Sequence, residues 1–509
     1  MTSQGEIIGQ PAPTGQRLAQ MLLWAAMTVF LVGALRDLTA PWEDGLRGEN
    51  AAIYEERFVH TILDWPVSVS CLAPGWVFES ATGPVCHWHW HHPPLFPLTL
   101  AAFARAFGNE PWVLRLTSIL LILPAFLAMR SLAGRAITPA FGGLAALLFA
   151  GNAMVGYFLP MVCHDGATIA AGLCACASFL NWCERPAPRR LVAASAWFLA
   201  ATLFDFLGHF WGLAMFVLAL GANDRRTALR GIAVLFCVSL LSLATVALHY
   251  GTFLGGPSGV AKALAGLAAN PGPPRPTSAE LLAATRNVLV DYGSWSIWAL
   301  ALLGAAACAW LDPKERRRVL WLSFALLLPG ALGCIASLRH YVDHAFWSMP
   351  MVAGAATLAA VVPWAGVRRL RTGTRAGRAQ GYALLLATFA GIAHGAGSTH
   401  ALVHAFRPND GGFTSLAAEA EPHTRGAAVA LTNRKVPMRT FVPGLMFVGS
   451  VATALELDAW LDYGRKNGIS TDVAFVLVRA SADPGLVARL GQLAEPRLLP
   501  RISVYRFRT

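Results

Sequence analysis

Residues 95–107 read LFPLTLAAFARAF. Whether this stretch crosses a membrane decides the side on which every later loop falls. As a helix it rises about 20 Å, against a hydrocarbon core of about 30 Å, so it is too short to span. Pro93 and Pro94 stand directly before it, in a helix's first turn, where the missing N–H costs little. The segment therefore reads as a juxtamembrane helix on the outer surface. Counting it as a span would move each later Arg-rich loop to the opposite side.

The rest of the chain fixes the membrane setting. The 509 residues are 55% apolar and only 13% charged, with a mean hydropathy of +0.50. A soluble domain carries about 25% charged residues, and a disordered chain is far less apolar. Apolar runs recur at 18–35, 113–131, 138–158, 166–182, 191–206, 207–221, 231–250, 294–311, 319–337, 345–362 and 381–396. Most reach the roughly 17–25 residues that a tilted helix needs to span. The pair 191–206 and 207–221 is short and reads either as two spans or as one hairpin entering from a single side. The first run follows Arg17 and lacks a short apolar core ending in a small-residue cleavage site, so it reads as an uncleaved anchor.

With the N-terminus inside, seventeen Lys and Arg fall in inside loops: Arg130 and Arg135, Arg185 to Arg190, Arg225 to Arg230, Lys314 to Arg318 and Arg368 to Arg378. The short outer loops, 159–165 and 338–344, hold only Arg339. Positive charge kept inside is the signature of membrane topology. The net charge of +12 thus needs no nucleic-acid partner.

This divides the chain into a transmembrane unit, 1–396, with long outer loops at 36–112 and 251–292, and an outer module, 397–509. In the module AAVAL (427–431), DVAFVLV (472–478) and ISVYRF (502–507) read as strands, and ELDAWLDYGRKNG (456–468) as an amphipathic helix closed by Gly468. GPSG (256–259) and NPGPPRP (270–276) read as loop flanking short amphipathic helices. The expected class is an all-α polytopic membrane protein of about 11 spans, with outer juxtamembrane helices and a small C-terminal α/β domain.

Sorted by face, the polar residues collect at the outer edge: Asp44, Glu49, the run HWHWHH (87–92), His164, Asp165, Asp205, His209, His249 and the stretch from Arg339 to His344. Ionisable groups at a membrane are costly and mark function by default; the alternative is that each simply meets water at the interface. Asp44 and Glu49 stand before a helix starting near Asn50 and suit a general base, or a solvated loop acid. His87, His89 and His91 alternate with tryptophans as on one face of a strand. They suit a divalent metal, hydrogen bonding at the interface or to phosphate, or packing. Cys71 and Cys86, in one outer loop, suit a disulfide. Arg339, set against the charge bias, suits an anionic headgroup or lipid-linked phosphate, or an ion pair with Asp343 or another outer carboxylate.

The run His91-His92-Pro93-Pro94-Leu95, followed by an apolar helix, Phe107-Gly108-Asn109-Glu110-Pro111-Trp112 and Arg115-Leu116, resembles a signature of bacterial membrane glycosyltransferases. These are the family 39-like, GT-C fold enzymes related to protein O-mannosyltransferases and aminoarabinose transferases. Met161 to Asp165, Asp205 to Phe210 and His340-Tyr341 to Pro350 follow in the family's order, and the resemblance covers roughly residues 18–362. It implies an inverting transfer of a sugar from a polyprenyl-phosphate donor to a lipid, glycan or protein acceptor on the periplasmic face of a bacterial inner membrane. Arg339, His340 and His91 or His92 would stabilise the leaving phosphate. Asp165 stands with the catalytic candidates, and His164, Tyr341 and Asp205 are further site candidates.

One departure stands out. Where the family carries Asp after the first span as base, this chain reads Gly48-Glu49-Asn50 with Asp44 upstream, leaving Glu49 and Asp44 both open. The sequence assigns no cofactor and leaves a divalent metal open. The competing reading is a transporter or metal-handling membrane protein using the histidine-rich loop. It is disfavoured because charged residues are nearly absent from the middle of the spans.

Overall fold

A computed structural model of the chain describes residues 13–36, 38–39, 51, 54–80, 83–88, 92–269, 275–372, 374–405, 412–427, 429–433, 447–451, 453–466 and 472–508. The expected bases Asp44 and Glu49, and His89 and His91, lie outside these residues.

Among them, helices long and apolar enough to cross a membrane are Gly15–Arg36, Pro111–Ala136, His164–Glu184, Arg225–Leu254, Pro313–Ala336 and Met351–Leu370. The first is the bulk of α1 (Pro13–Arg36). Leu95–Phe107 (α2) is a short apolar helix, as its length dictates. α3 (Pro111–Ala136) opens on Pro111. The expected span 138–158 divides into α4 (Pro139–Ala150) and α5 (Ala153–Phe158), because Asn152 caps a new helix by accepting from Met154 N at 3.0 Å. α6 (His164–Glu184) is followed by α7 (Pro188–Phe204) and α8 (Phe210–Leu220), broken at Asp205. The long α9 (Arg225–Leu254) is capped by Asp224. Gly142 in α4 lets that helix approach α3: a Cβ there would stand 2.1 Å from the Arg130 carbonyl oxygen.

α10 (Gly256–Ala269) corrects one expectation, since GPSG opens this helix instead of forming loop. Gly255, with φ +83, makes the turn between α9 and α10, a conformation that favours glycine. α11 (Ser278–Arg286) runs into a π-turn over Asn287–Asp291 and then bends by 91° into α12 (Trp295–Ala307). α13 (Pro313–Ala336), α14 (Leu338–Asp343), α15 (Met351–Ala359), α16 (Val361–Leu370) and α17 (Arg375–Ala405) complete the helical unit. α17 runs straight through the expected boundary at 396/397.

Contacts between helix ends give the unit two unlike poles. At one, Arg135 at the end of α3 meets Glu184 at the end of α6 (3.0 Å). There too Arg368 of α16 makes a paired fork with Glu315 at the start of α13 (2.7 and 2.8 Å), and Arg369 lies over the Trp310 ring. At the other pole lie the start of α6, the end of α7 and the ends of α9 and α13. An antiparallel hairpin, β1 (Gly75–Ser80) with β2 (Gly83–Trp88), pairs Trp76 with His87. Cys71, in the left-handed region at φ 49, is a free thiol near the Thr252 carbonyl (3.9 Å). The expected bridge from Cys71 to Cys86 is therefore not made: the end of a four-residue helix turns Cys71 toward the end of α9.

The C-terminal module is a five-stranded sheet in the order β4-β3-β5-β7-β6. β3 (Val429–Thr432) runs parallel to β4 (Phe447–Ser450) and β5 (Asp472–Val478), while β7 (Ile502–Arg508) is antiparallel to β5 and to β6 (Arg497–Leu498). Alternation on β5 sorts the two faces. Val473, Phe475 and Leu477 pack against Leu457 and Leu461 of α19 (Ala454–Lys466) and Leu486 and Leu490 of α20 (Pro484–Leu493). Ala474 and Val476 join the larger core with Leu416 and Ala420 of α18 (Gly412–Thr424). β4, β6, α18 and α20 have no counterpart in the sequence reading; the three expected strands and the expected helix are all present.

Candidate functional site

The polar residues at the second pole converge on His164, the first residue of α6. Cys163 is extended before α6, and a Cβ at Gly166 would stand 2.4 Å from the Leu159 carbonyl oxygen, so the start of α6 packs tightly against the end of the preceding turn. His164 is 5% exposed and Asp205, in the break between α7 and α8, is 3% exposed. His164 Nε2 stands 3.7 Å from Asp205 Oδ2 and 3.9 Å from Asp165 Oδ2. Asp205 Oδ1 meets His92 Nδ1 at 3.2 Å, and the two imidazole rings lie 4.0 Å apart. Four of the expected site residues, His92, His164, Asp165 and Asp205, thus form one cluster.

His92 is placed by the two prolines after it, which begin α2, and by Tyr250 of α9, whose hydroxyl donates to the His92 carbonyl at 3.0 Å. Arg115, next in the motif, is buried and donates to the Leu38 carbonyl (3.2 Å), tying α3 to the chain just beyond α1.

Tyr54 and Cys163 are not singled out as site residues by the sequence, and His344, which belongs to the stretch from Arg339, joins them. The Tyr54 hydroxyl is hydrogen-bonded to His164 Nδ1, with its ring edge-on to Phe58 and Phe96. Burial above all, then the neighbouring Cys163 and the carboxylates of Asp165 and Asp205, raise the Tyr54 phenol well above its ordinary value, so it remains protonated. The Cys163 thiol donates to Asp165 Oδ2 at 2.9 Å, and burial followed by Asp165 pushes it up as well. His344 lies close enough to His164 to act on it electrostatically. A cavity of about 10 Å³, room for about one water, is lined by Asp165, Thr168, Asp205, Trp211 and Trp347.

Arg339 and Tyr341 serve a neighbouring helix. Arg339 donates to Glu280 at 2.9 Å, and the Tyr341 hydroxyl meets Thr285 Oγ1 at 3.2 Å, both on α11. His340 falls on α14, and its side chain is outside the described part. His87 is in β2, with its side chain likewise outside.

Residues 91–250 match the family described as dolichyl-phosphate-mannose-protein mannosyltransferase. That segment contains the H-P-P-L turn, His164, Asp165, Asp205 and Tyr250. Along nearly its whole length the chain is similar to the crystal structure of ArnT from Cupriavidus metallidurans bound to undecaprenyl phosphate. The TM-score is 0.59 at 12% identity, covering 96% of this chain and 98% of that one. The chain has the GT-C fold. Two structures from Archaeoglobus fulgidus share this fold. The oligosaccharyltransferase in its apo form has TM-score 0.60 at 12% identity over 90% of this chain and 69% of that one. AglB in complex with an inhibitory peptide and a dolichol-phosphate has TM-score 0.57 at 11% identity over 96% and 76%. No curated protein matches by sequence. With its spanning helices, this GT-C chain is a multi-pass membrane protein.

Proposed function

We propose that the chain is a glycosyltransferase moving a sugar from a polyprenyl-phosphate donor to an acceptor on the pole that carries the His164 cluster. We take that pole to be the periplasmic face of a bacterial inner membrane. The observation that carries this reading is the cluster of Tyr54, His164, Asp205 and His92, three of which fall with the H-P-P-L turn inside the segment that matches the mannosyltransferase family. Arginines at the opposite pole support the orientation, because they remain on the cytoplasmic side. The undecaprenyl phosphate and dolichol-phosphate in the ArnT and AglB structures support a lipid phosphate as the leaving group here.

In an inverting transfer, a carboxylate takes the proton from an acceptor hydroxyl or amine. The acceptor atom bonds to the anomeric carbon, the anomeric C–O bond breaks, and its electron pair leaves with the polyprenyl phosphate. Asp165, buried in the cluster, and Glu49 and Asp44, just upstream of Tyr54, are the carboxylates for that proton. His92, His91, Arg339 and His340 are assigned to the leaving phosphate, where donors aimed at developing charge act most strongly. The acceptor is a lipid, glycan or protein group presented at the same face.

The test is transfer from labelled polyprenyl-phosphate sugars in proteoliposomes, with Asp165→Asn, Glu49→Gln and Asp44→Asn each compared with the unaltered chain. Loss of a general base lowers kcat by about 10²–10⁴-fold, and one of the three is expected to fall in that range. Wild-type kcat in all three would remove the proposed base chemistry.

A further inference from the structure

We infer that a groove along the first turns of α13 binds one anionic phospholipid from the leaflet at the arginine-rich pole. The inference goes beyond the transferase reading and uses only the membrane setting of the chain. Pro313, Arg316, Arg317, Leu320, Trp321 and Phe324 line a groove of about 640 Å³. They recur every three or four residues and so share one face of the helix. From Pro313 to Phe324 that face rises about 17 Å, against about 30 Å for the whole hydrocarbon core, so it spans the depth of one leaflet. Its two ends differ in chemistry. Arg316 and Arg317 stand exposed near the helix start. Further along, Leu320, Trp321 and Phe324 are 43%, 38% and 51% exposed. A charged mouth leading into an apolar run matches a phosphate headgroup followed by an acyl chain.

Charge sets the sign of the ligand. The carboxylates nearest in sequence are engaged elsewhere: Glu315 is held by the paired fork from Arg368, and Asp312 caps α13 by accepting from Lys314 N at 2.9 Å. Among the described residues no carboxylate pairs with Arg316 or Arg317. Adjacent guanidinium forks suit the oxygens of a single phosphate. Trp321 favours a lipid over a free anion. An indole at a membrane interface usually keeps its N–H on the wet side, yet here Nε1 donates to the Val217 carbonyl at the end of α8, at 2.9 Å. Gly221 makes room for this, because a Cβ there would stand 2.4 Å from Nε1. The indole is thus fixed with its polar edge turned into the protein, and the ring offers the groove apolar surface for an acyl chain. A second copy of the chain fits less well, since a two-fold contact through this face would bring like charges together.

The full chain in detergent, stripped of bound lipid, is mixed with dioleoylphosphatidylglycerol or dioleoylphosphatidylcholine and read by native mass spectrometry. About one tightly held phosphatidylglycerol per chain is expected, with a Kd about tenfold or more below that of phosphatidylcholine. Arg316→Gln combined with Arg317→Gln is expected to abolish that preference. Arg375→Gln combined with Arg378→Gln takes the same charge from two exposed arginines of α17 outside the groove and is expected to leave it intact. Phe324→Ala keeps both arginines and is expected to weaken phosphatidylglycerol about threefold or more. Glycerol 3-phosphate, an anion without chains, is expected not to displace the lipid at equal concentration. Equal affinity for the two lipids in the unaltered protein overturns the site without relying on any variant to fold. A preference that survives loss of Arg316 and Arg317, or that falls equally in the α17 control, overturns it as well. Displacement by glycerol 3-phosphate would make this a free-anion site, and a lipid-free dimer lost in Phe324→Ala would give the groove to a second copy; either result refutes the lipid assignment. No sugar donor is present, so the outcome is independent of the transferase reading.

Discussion

The Arg339 guanidinium donates to Glu280 Oε1 at 2.9 Å, while the other oxygen of the same carboxylate accepts from the Thr277 backbone at 2.7 Å and closes the capping box of α11. One carboxylate thus both starts α11 and holds the arginine we assign to the leaving phosphate. If a donor phosphate competes with Glu280 for Arg339, the two residues have opposite effects. Arg339→Ala removes a charge-assisted bond to phosphate and is expected to raise KM for the lipid donor about tenfold or more. Glu280→Gln keeps the cap, since Gln serves a capping box, but releases the arginine, and is expected to lower KM by at most about fivefold. Steady-state kinetics on both variants check this. A KM that moves the same way in both would end the competition model.

The wall beneath the cluster is set by a glycine. A Cβ on Gly172 would stand 2.3 Å from the Trp211 ring, and Trp211 is 1% exposed. The indole is rigid and lines the cavity shared by Asp165 and Asp205, so it can yield only by moving α8 away from α6. Overpacking of this kind costs about 1–3 kcal/mol. Gly172→Ala is expected to lower the detergent-solubilised Tm and reduce transfer activity. Gly172→Ala with Trp211→Phe should recover part of both. An unchanged Tm in the single variant would show that the helices separate freely there.

Which parts of this arrangement the sequence revealed follows from physical cost. His92, His164, Asp165 and Asp205 stood out because a charged or polar group beside hydrocarbon is expensive, and all four fell on one side once 95–107 was read as too short to span. Tyr54 left no such mark. An aromatic in AAIYEERF reads as core packing, and its partner lies 110 positions away. Cys163 enters the sequence reading only inside the stretch Met161 to Asp165, and only the fold brings its thiol to the Asp165 carboxylate. The tail's β5 was legible because seven apolar-rich residues cannot be solvated. β4 was missed because FVGS is too short to carry a period. GPSG was misread because its glycine and proline fall in the opening turns of a helix, where they are tolerated.

The C-terminal module depends on one buried amide. Asn433 Oδ1 accepts from Val478 N at 2.7 Å, and its Nδ2 donates to Val478 O at 3.0 Å. It thereby joins the end of β3 to the end of β5 as a further rung of the sheet would. Asn433→Ala leaves a buried N–H and C=O short of a partner, a loss of about 1–3 kcal/mol for each group left unsatisfied. Asn433→Asp keeps the acceptor but replaces the donor that faces the Val478 carbonyl. Hydrogen exchange on the full chain is expected to show faster exchange over 472–478 in both variants, with the helical unit unchanged. Wild-type protection over β5 would remove Asn433 from the module's stability.

Two cysteines near the cluster give a direct reading of its burial. Cys71 is a half-buried free thiol between α1 and α2, in the loop we propose to be outside, whereas Cys163 is buried and donates to Asp165. The thiolate is the reactive form, and burial together with the Asp165 charge holds the Cys163 thiol well above its usual range. At pH 8, a membrane-impermeant maleimide added to intact spheroplasts is therefore expected to label Cys71 and leave Cys163 unmodified, each scored by peptide mass spectrometry. Denaturation before labelling should make the two equal. Cys163→Ser retains a donor to Asp165 and should preserve transfer within about threefold, whereas Cys163→Ala leaves the carboxylate one partner short and should reduce transfer more. An unlabelled Cys71 that appears only after reduction would restore the bridge to Cys86. A labelled Cys163 would open the cluster to water and remove the enclosed chemistry on which the transferase mechanism depends.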